Sequence, residues 1–89
     1  MVNLVFSLVL YKNKYDEIKI LIENIKSLRE ILFNYGIDTY LFINDNSPKR
    51  TISSKQIKKS FIVYEFNNKN IGFGKAHNKN LLNKNFKNK

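Results

Sequence analysis

The chain has no cysteine, a single proline, three glycines and one histidine among its 89 residues. Without cysteine there is no disulfide framework, no thiolate metal site and no thiol nucleophile, which fits a reducing compartment. The one histidine, His77, has no second histidine with which to share a metal, and no Ser–His–Asp order is evident. No apolar run approaches the roughly 20 residues needed to span a bilayer. The opening stretch Met1-Val2-Asn3-Leu4-Val5-Phe6-Ser7-Leu8-Val9-Leu10 lacks the basic leader and small-residue cleavage site of a signal peptide. These absences point to a cytoplasmic protein, at most peripheral to the inner membrane face.

Negative charge is also scarce. Seven acidic residues face sixteen Lys and Arg, leaving a formal charge of +9. Such a balance can be an electrostatic footprint for nucleic acid or anionic lipid. It can equally reflect a lysine- and asparagine-rich composition. The lysines are spread along the chain, with one dense stretch from Lys75 to Lys89, and arginine, the better fork for phosphate, occurs only at Arg29 and Arg50. The distribution favours composition over a nucleic-acid footprint. A weak attraction to an anionic membrane surface remains as a secondary expectation.

What is present reads as a small α/β unit. At this length only about 60–65% of the unfolded surface is buried, so the core is thin. Residues 3–11 are almost continuously apolar without a clean two-residue alternation, which describes a strand covered on both faces. Asn13 or Lys14 opens a helix with Asp16 and Glu17 in its first turn, where the helix dipole favours negative charge. Ile18, Leu21, Ile22, Ile25, Leu28, Leu32 and Tyr35 recur at three- and four-residue spacing as one apolar stripe. Gly36 is placed to be the left-handed C′ residue. A second strand spans Thr39 to Asn44, and Asp45-Asn46-Ser47-Pro48 is a loop. Ser53 to Lys59 is expected as a short helix capped by Ser53 or Ser54. Phe61 to Phe66 is the third strand, and Asn67-Asn68-Lys69-Asn70 a polar turn. A last helix begins near Gly72–Gly74 and runs to about Asn83, with Ala76 and Leu81 facing inward. The order is β-α-β-α-β-α, with a three-stranded parallel sheet. Residues 1–82 form the folded unit, and 83–89 a polar frayed tail.

In an open sheet of this kind ligands bind just past the carboxyl ends of the strands. Asp45 is the one carboxylate expected there, and with Asn46 it can accept or donate hydrogen bonds to a ribose or a base. The same residues can form an Asx-type turn that satisfies only the local backbone. Gly72 and Gly74, between a strand and a helix, let backbone N–H groups approach a phosphate at a helix N-terminus. The spacing Gly72-x-Gly74-x-x-His77 lacks the third glycine of the dinucleotide fingerprint and follows the wrong strand for it. Tyr11, at the end of the first strand, can stack on a base or pack against the protein.

Three segments in order carry a resemblance: Leu8-Val9-Leu10-Tyr11-Lys12-Asn13, then Ile43-Asn44-Asp45-Asn46-Ser47-Pro48, then Asn70-Ile71-Gly72-Phe73-Gly74-Lys75-Ala76-His77-Asn78. Together they resemble the N-terminal part of a family 2 glycosyltransferase of the GT-A fold, nearest its rhamnosyltransferase-like branch. The resemblance implies a partial Rossmann-like, nucleotide-binding half of such an enzyme, used in cell-surface polysaccharide synthesis. It implies that Tyr11 lines the nucleotide pocket, that Asp45 with Asn46 reads the base or ribose of a nucleoside-diphosphate sugar, and that the segment with Gly72 and Gly74 borders the donor, with His77 and Asn78 near the diphosphate side. The resembled family uses Mg²⁺ or Mn²⁺, held by acidic residues beyond the next strand. Here no Asp or Glu follows His77. A metal site, the acceptor half and a catalytic base are therefore expected to be missing, and the chain to be inactive alone. No cofactor is expected in this chain. The missing fourth strand pairs beside the first strand in that fold, so residues 3–11 are expected to present an unpaired apolar edge, open either to the absent C-terminal half or to self-association. The rival readings are a small basic nucleic-acid-binding protein and a remnant with no activity.

Overall fold

The structure, a computed structural model, describes residues 2–83. Strand β1 (Val2–Leu10) leads to helix α1 (Tyr15–Phe33), strand β2 (Ile37–Asp45), strand β3 (Ile62–Phe66) and helix α2 (Phe73–Leu81). The three strands form one parallel sheet in the order β1-β2-β3. The parallel α/β sheet is as the sequence predicts. The tail beyond residue 83, expected to fray, lies outside the described residues.

β2 holds the centre because it can be covered on both faces. Every residue from Thr39 to Ser47 is buried, and Tyr40-Leu41-Phe42-Ile43 supplies an unbroken apolar run. Ser7, paired with Phe42, and Asn44 lie on the face that packs against α2. Leu41, Ile43 and Asp45 alternate onto the other face, which is left to α1 and the segment between β2 and β3. The core joins Leu10, Ile18, Ile22, Ile25, Phe42 and Ile43, among others.

Four expectations are corrected. The Ser53–Lys59 helix does not form; the segment is a run of turns. Ile52 and Ile57 are both sunk into the core, 0% and 7% exposed. Five residues apart on a helix they would point about 140° apart. The chain instead closes a tight Lys59 N–H to Ile57 carbonyl turn at 2.9 Å, which is not helical. Ser53 and Gln56 still exchange two hydrogen bonds, Ser53 N–H to Gln56 Oε1 at 2.8 Å and Gln56 N–H to Ser53 Oγ at 3.3 Å. The element order is thus β-α-β-β-α, the parallel crossover from β2 to β3 being irregular but long enough for the return. Leu81 is exposed rather than inward; Ala76 and Asn80, four residues apart, carry the buried stripe of α2. On α1 the buried stripe narrows to Ile18, Ile22 and Ile25, with Leu21 and Tyr35 exposed, because a three-stranded sheet is too narrow to cover the rest. Gly36 is left-handed as expected (φ +76°), two residues beyond the Asn34 cap rather than one.

Arg29 closes a gap in the sheet. β3 begins opposite Leu41, so the Thr39 carbonyl on that edge has no strand partner. Arg29 Nη1 donates to it at 2.7 Å and to Asp38 Oδ1 at 2.8 Å, while its guanidinium lies over the Phe61 ring at 5.2 Å. Asp38 also accepts the Tyr40 hydroxyl, and this bond raises the Tyr40 phenol above its ordinary range.

Candidate functional site

Parallel pairing brings the strand ends to one rim. Leu10 lies opposite Asp45, and Asp45 opposite Phe66. The three segments that leave the rim are bonded to one another. Asn46 N–H donates to the Leu10 carbonyl and Asn67 N–H to the Asp45 carbonyl, each at 2.8 Å. Lys12 N–H donates to Ser47 Oγ at 2.7 Å, helped by a left-handed Lys12 (φ +59°), and Thr51 Oγ1 donates to the Asn13 carbonyl at 2.7 Å. Tyr11 stands outside β1, 48% exposed, with the Lys12 ammonium 5.2 Å from its ring. Its ring is therefore available at the rim for stacking.

Asp45 is buried and fully engaged. Its Oδ1 accepts Ser47 N–H at 3.0 Å and Ser47 Oγ–H at 2.6 Å, and its Oδ2 accepts the Tyr64 hydroxyl at 2.6 Å. The Ser47 pair is the Asx-type turn anticipated as the local alternative. Tyr64 was not legible as a site residue, because inside a strand it reads as core. Burial, followed by the bond to Asp45, raises its phenol well above the ordinary tyrosine range, against the opposing pull of Arg50, whose guanidinium lies 4.8 Å from the ring centre. A ligand reaching the Asp45 carboxylate has to turn Ser47 or Tyr64 aside.

The glycine bend meets the same rim from the other face of β2. Asn46 Nδ2 donates to the Gly72 carbonyl at 3.2 Å and to Asn70 Oδ1 at 3.4 Å, and Asn70 Oδ1 accepts Gly72 N–H at 2.9 Å. Gly72 caps α2 at φ +93°, ψ 152°, a conformation open essentially only to glycine. No side chain caps the helix there. The N–H groups of Phe73, Gly74 and Lys75 have no intrahelical acceptor, and all three residues are exposed at the positive end of the helix. His77 lies one turn further along, half-buried. Its Nδ1 is 2.6 Å from Ser7 Oγ and its ring meets the Phe73 ring edge-on with centroids 4.3 Å apart. It is turned toward β1 rather than out over the bend. Asn78 is exposed on α2.

A layer of asparagines fixes this bend in place. Asn44 Nδ2 donates to Asn80 Oδ1 at 3.0 Å, and Asn80 Nδ2 donates to Ser7 Oγ, the Leu8 carbonyl and the Phe42 carbonyl at 2.9, 3.2 and 3.0 Å. Asn67 Nδ2 bonds Asn44 Oδ1 at 2.7 Å and Asn46 Oδ1 at 2.8 Å, and Asn67 Oδ1 accepts Lys79 Nζ at 2.8 Å. Lys79 also pairs with Glu65 on β3. Asn44, Asn67 and Asn80 were not singled out from sequence. The available signals were an amide closing an apolar strand at Asn44, and Asn80 four residues after Ala76 on the inward stripe.

A cleft of about 590 Å³ lies at the opposite, amino end of the sheet, lined by Lys26, Glu30, Phe33, Lys58 and Lys59 among others. It shares no residue with the rim. Among the described residues no group of three or more His, Asp or Glu side chains could hold a metal ion, and no helix is long and apolar enough to cross a membrane. Comparison with protein-family models, with curated proteins and with solved structures yields no match.

Proposed function

We propose that the chain is a Rossmann-like donor-binding half of a glycosyltransferase of the GT-A kind, and that its rim takes the nucleoside diphosphate of a sugar donor. One observation carries this reading: the loop after β2 and the glycine bend before α2 are joined at a single rim, by the Asn46 bond to the Gly72 carbonyl. That junction sets uncapped N–H groups beside polar side chains suited to a ribose or base. The diphosphate lies against the N–H groups of Phe73, Gly74 and Lys75, where the helix dipole and the Lys75 charge favour an anion. Tyr11 offers a face for the base, and Asp45 reads the base or ribose once Ser47 or Tyr64 turns aside. His77 stays behind the bend and holds it through Ser7.

The chain's part in this reading is binding, not transfer. The resembled enzymes neutralise the leaving diphosphate with a divalent ion, which needs oxygen ligands. Among the described residues no group of three or more His, Asp or Glu side chains is gathered for such an ion, and no step of the reaction is assigned to them. Half a pocket gives weak affinity, with a dissociation constant on the order of millimolar. Titration of the labelled chain with uridine or thymidine diphosphate, followed by amide NMR, tests the proposal. Shifts are expected at Gly72, Phe73, Gly74 and Lys75, smaller in Asp45→Ala. No movement of these amides at millimolar ligand overturns it.

A further inference from the structure

The open edge of the sheet has a feature that the donor rim does not use. In the pairing with β2, Val2 N–H and the Leu10 carbonyl point toward the neighbouring chain segment, as the bonds Val2 N–H to Gly36 carbonyl and Asn46 N–H to Leu10 carbonyl show. Even-numbered residues of β1 therefore face β2, and Asn3, Val5, Ser7 and Val9 aim their N–H and C=O groups outward. Among the described residues nothing pairs with these eight groups. Nor does the edge carry the usual protections: residues 2–10 contain no charge, no proline and no bulge.

Helix α1 extends the same unfinished surface. Residues advance about 100° each around a helix. Measured from Ile25, the residues that line the amino-end cleft beside β3, Arg29, Phe33 and Lys26, lie about 40° to 100° to one side. Leu21 and Leu28 lie about 40° to 60° to the other side, and Ile31 and Ile20 further round. That second flank overhangs β1. Its apolar members are uncovered, with Leu21 40%, Ile31 58% and Ile20 69% exposed, and the exposed Glu17 and Asn24 lie between them.

We propose that two copies of this chain join edge to edge through β1, antiparallel about a two-fold axis centred on Phe6. This register places Asn3 opposite Val9 and Val5 opposite Ser7 of the second copy. It satisfies all eight outward groups of each strand at once and leaves none over. Phe6 meets its own counterpart as the central non-hydrogen-bonded pair. The two-fold that pairs the strands also brings the apolar flank of each α1 toward the other. A single foreign strand would cover the edge but not this flank, which is why the second copy is the better occupant. The uncharged strand lets two +9 chains meet without like charges in contact.

Sedimentation of the full chain tests this. A species of about twice 10.6 kDa is expected by 100 µM, strengthened by salt as the mutual repulsion is screened. Val5→Pro removes an outward donor without touching a bond to β2, and Leu21→Glu charges the helix flank; each should weaken association at least tenfold. Because the chain has no cysteine, single-site oxidation reads the register. Phe6→Cys should cross-link to a dimer, its Cα atoms about 4.5 Å apart across the axis. Leu4→Cys, offset four residues from its counterpart, should not. A wild-type chain that stays monomeric at 100 µM overturns the proposal. So does a dimer indifferent to both Val5→Pro and Leu21→Glu, or a Leu4→Cys chain that cross-links as readily as Phe6→Cys.

Discussion

Asn80→Ala should unfold this protein more readily than its small size change implies. Asn80 is 1% exposed and makes four side-chain hydrogen bonds between α2 and the sheet. The Leu8 and Phe42 carbonyls face the neighbouring strand and keep partners in the ladder when Asn80 is cut back. Ser7 Oγ keeps His77. Asn44 Nδ2 keeps nothing, since Asn80 Oδ1 is its acceptor. A buried donor left alone costs about 1–3 kcal/mol. The lost amide leaves a void worth roughly 1 kcal/mol more. The expected loss is about 2–4 kcal/mol, or roughly 8–32 °C in Tm at about 4–8 °C per kcal/mol for a domain of this size. A thermal melt by far-ultraviolet circular dichroism measures it. Asn80→Asp sharpens the argument, because it keeps the shape and replaces the donor that faces two carbonyl oxygens. An ionised carboxylate there is repelled, so its folded pKa lies above the unfolded value of about 3.9. Raised in this way, the group costs stability as pH climbs past that value and costs least below it. The deficit relative to wild type should therefore shrink from pH 7 to pH 4. A loss under about 0.5 kcal/mol for Asn80→Ala, or a pH-independent deficit for Asn80→Asp, would refute the claim that directed hydrogen bonds hold α2.

Two further outcomes follow from the rim. Gly72→Ala should cost about 1–3 kcal/mol from backbone strain alone, because φ is +93° while a built Cβ meets nothing within 4 Å; Gly74→Ala, in the helix and equally uncrowded, should be neutral or stabilising by up to about 1 kcal/mol, and paired chemical melts distinguish the two. Tyr64→Phe leaves Asp45 Oδ2 buried without its donor and should cost about 1–3 kcal/mol at pH 7. The phenol's raised pKa, from burial first and the Asp45 bond second, also means that the stability it contributes is complete below pH 10 and is lost as pH rises beyond it, so wild type should lose more stability than Tyr64→Phe between pH 9 and pH 11, and equal losses would show that the Tyr64 phenol carries no such linkage.

The parallel sheet was legible because its evidence is local and repeated. Apolar runs at β1, β2 and β3 and the stripe Ile18, Ile22, Ile25 repeat the same message over many residues. The failures have a different character. Ser53–Lys59 has acceptable helix residues and a real capping pair in Ser53 and Gln56, but Ile52 and Ile57 must both reach the core, and only the tertiary fold states that demand. Leu81 reads as inward in the sequence, yet α2 lies over Ser7 and Asn44, and the buried side chain that meets them is the amide of Asn80. The positions of the site residues were partly legible. Turn chemistry found Asp45 and Gly72, because an aspartate before Asn-Ser-Pro and a glycine before a helix each have a local meaning. It could not say that Tyr64, nineteen residues on, would occupy the other oxygen of Asp45.

The two faces of β2 divide the labour of the molecule. On one face Leu41 and Ile43 bury apolar surface, a force that is roughly proportional to area and indifferent to direction. On the other face, beside the buried Phe42 and Ala76, Asn44, Asn80 and Ser7 meet through hydrogen bonds, which fail beyond a few tenths of an ångström or past a modest angle. The same network runs through Asn67 to Asn46 and from there to the Gly72 carbonyl. The position of the α2 N-terminus relative to the strand ends is thus set by directed bonds. Hydrophobic packing supplies most of the stability, while the amide layer supplies the geometry, and a fully satisfied polar network is the kind of interior that specifies one arrangement. An anion-binding helix end needs that arrangement, since N–H groups that drift cannot converge on a phosphate. The asparagines therefore belong with the site as much as the glycines do, although none of Asn44, Asn67 or Asn80 need touch a ligand.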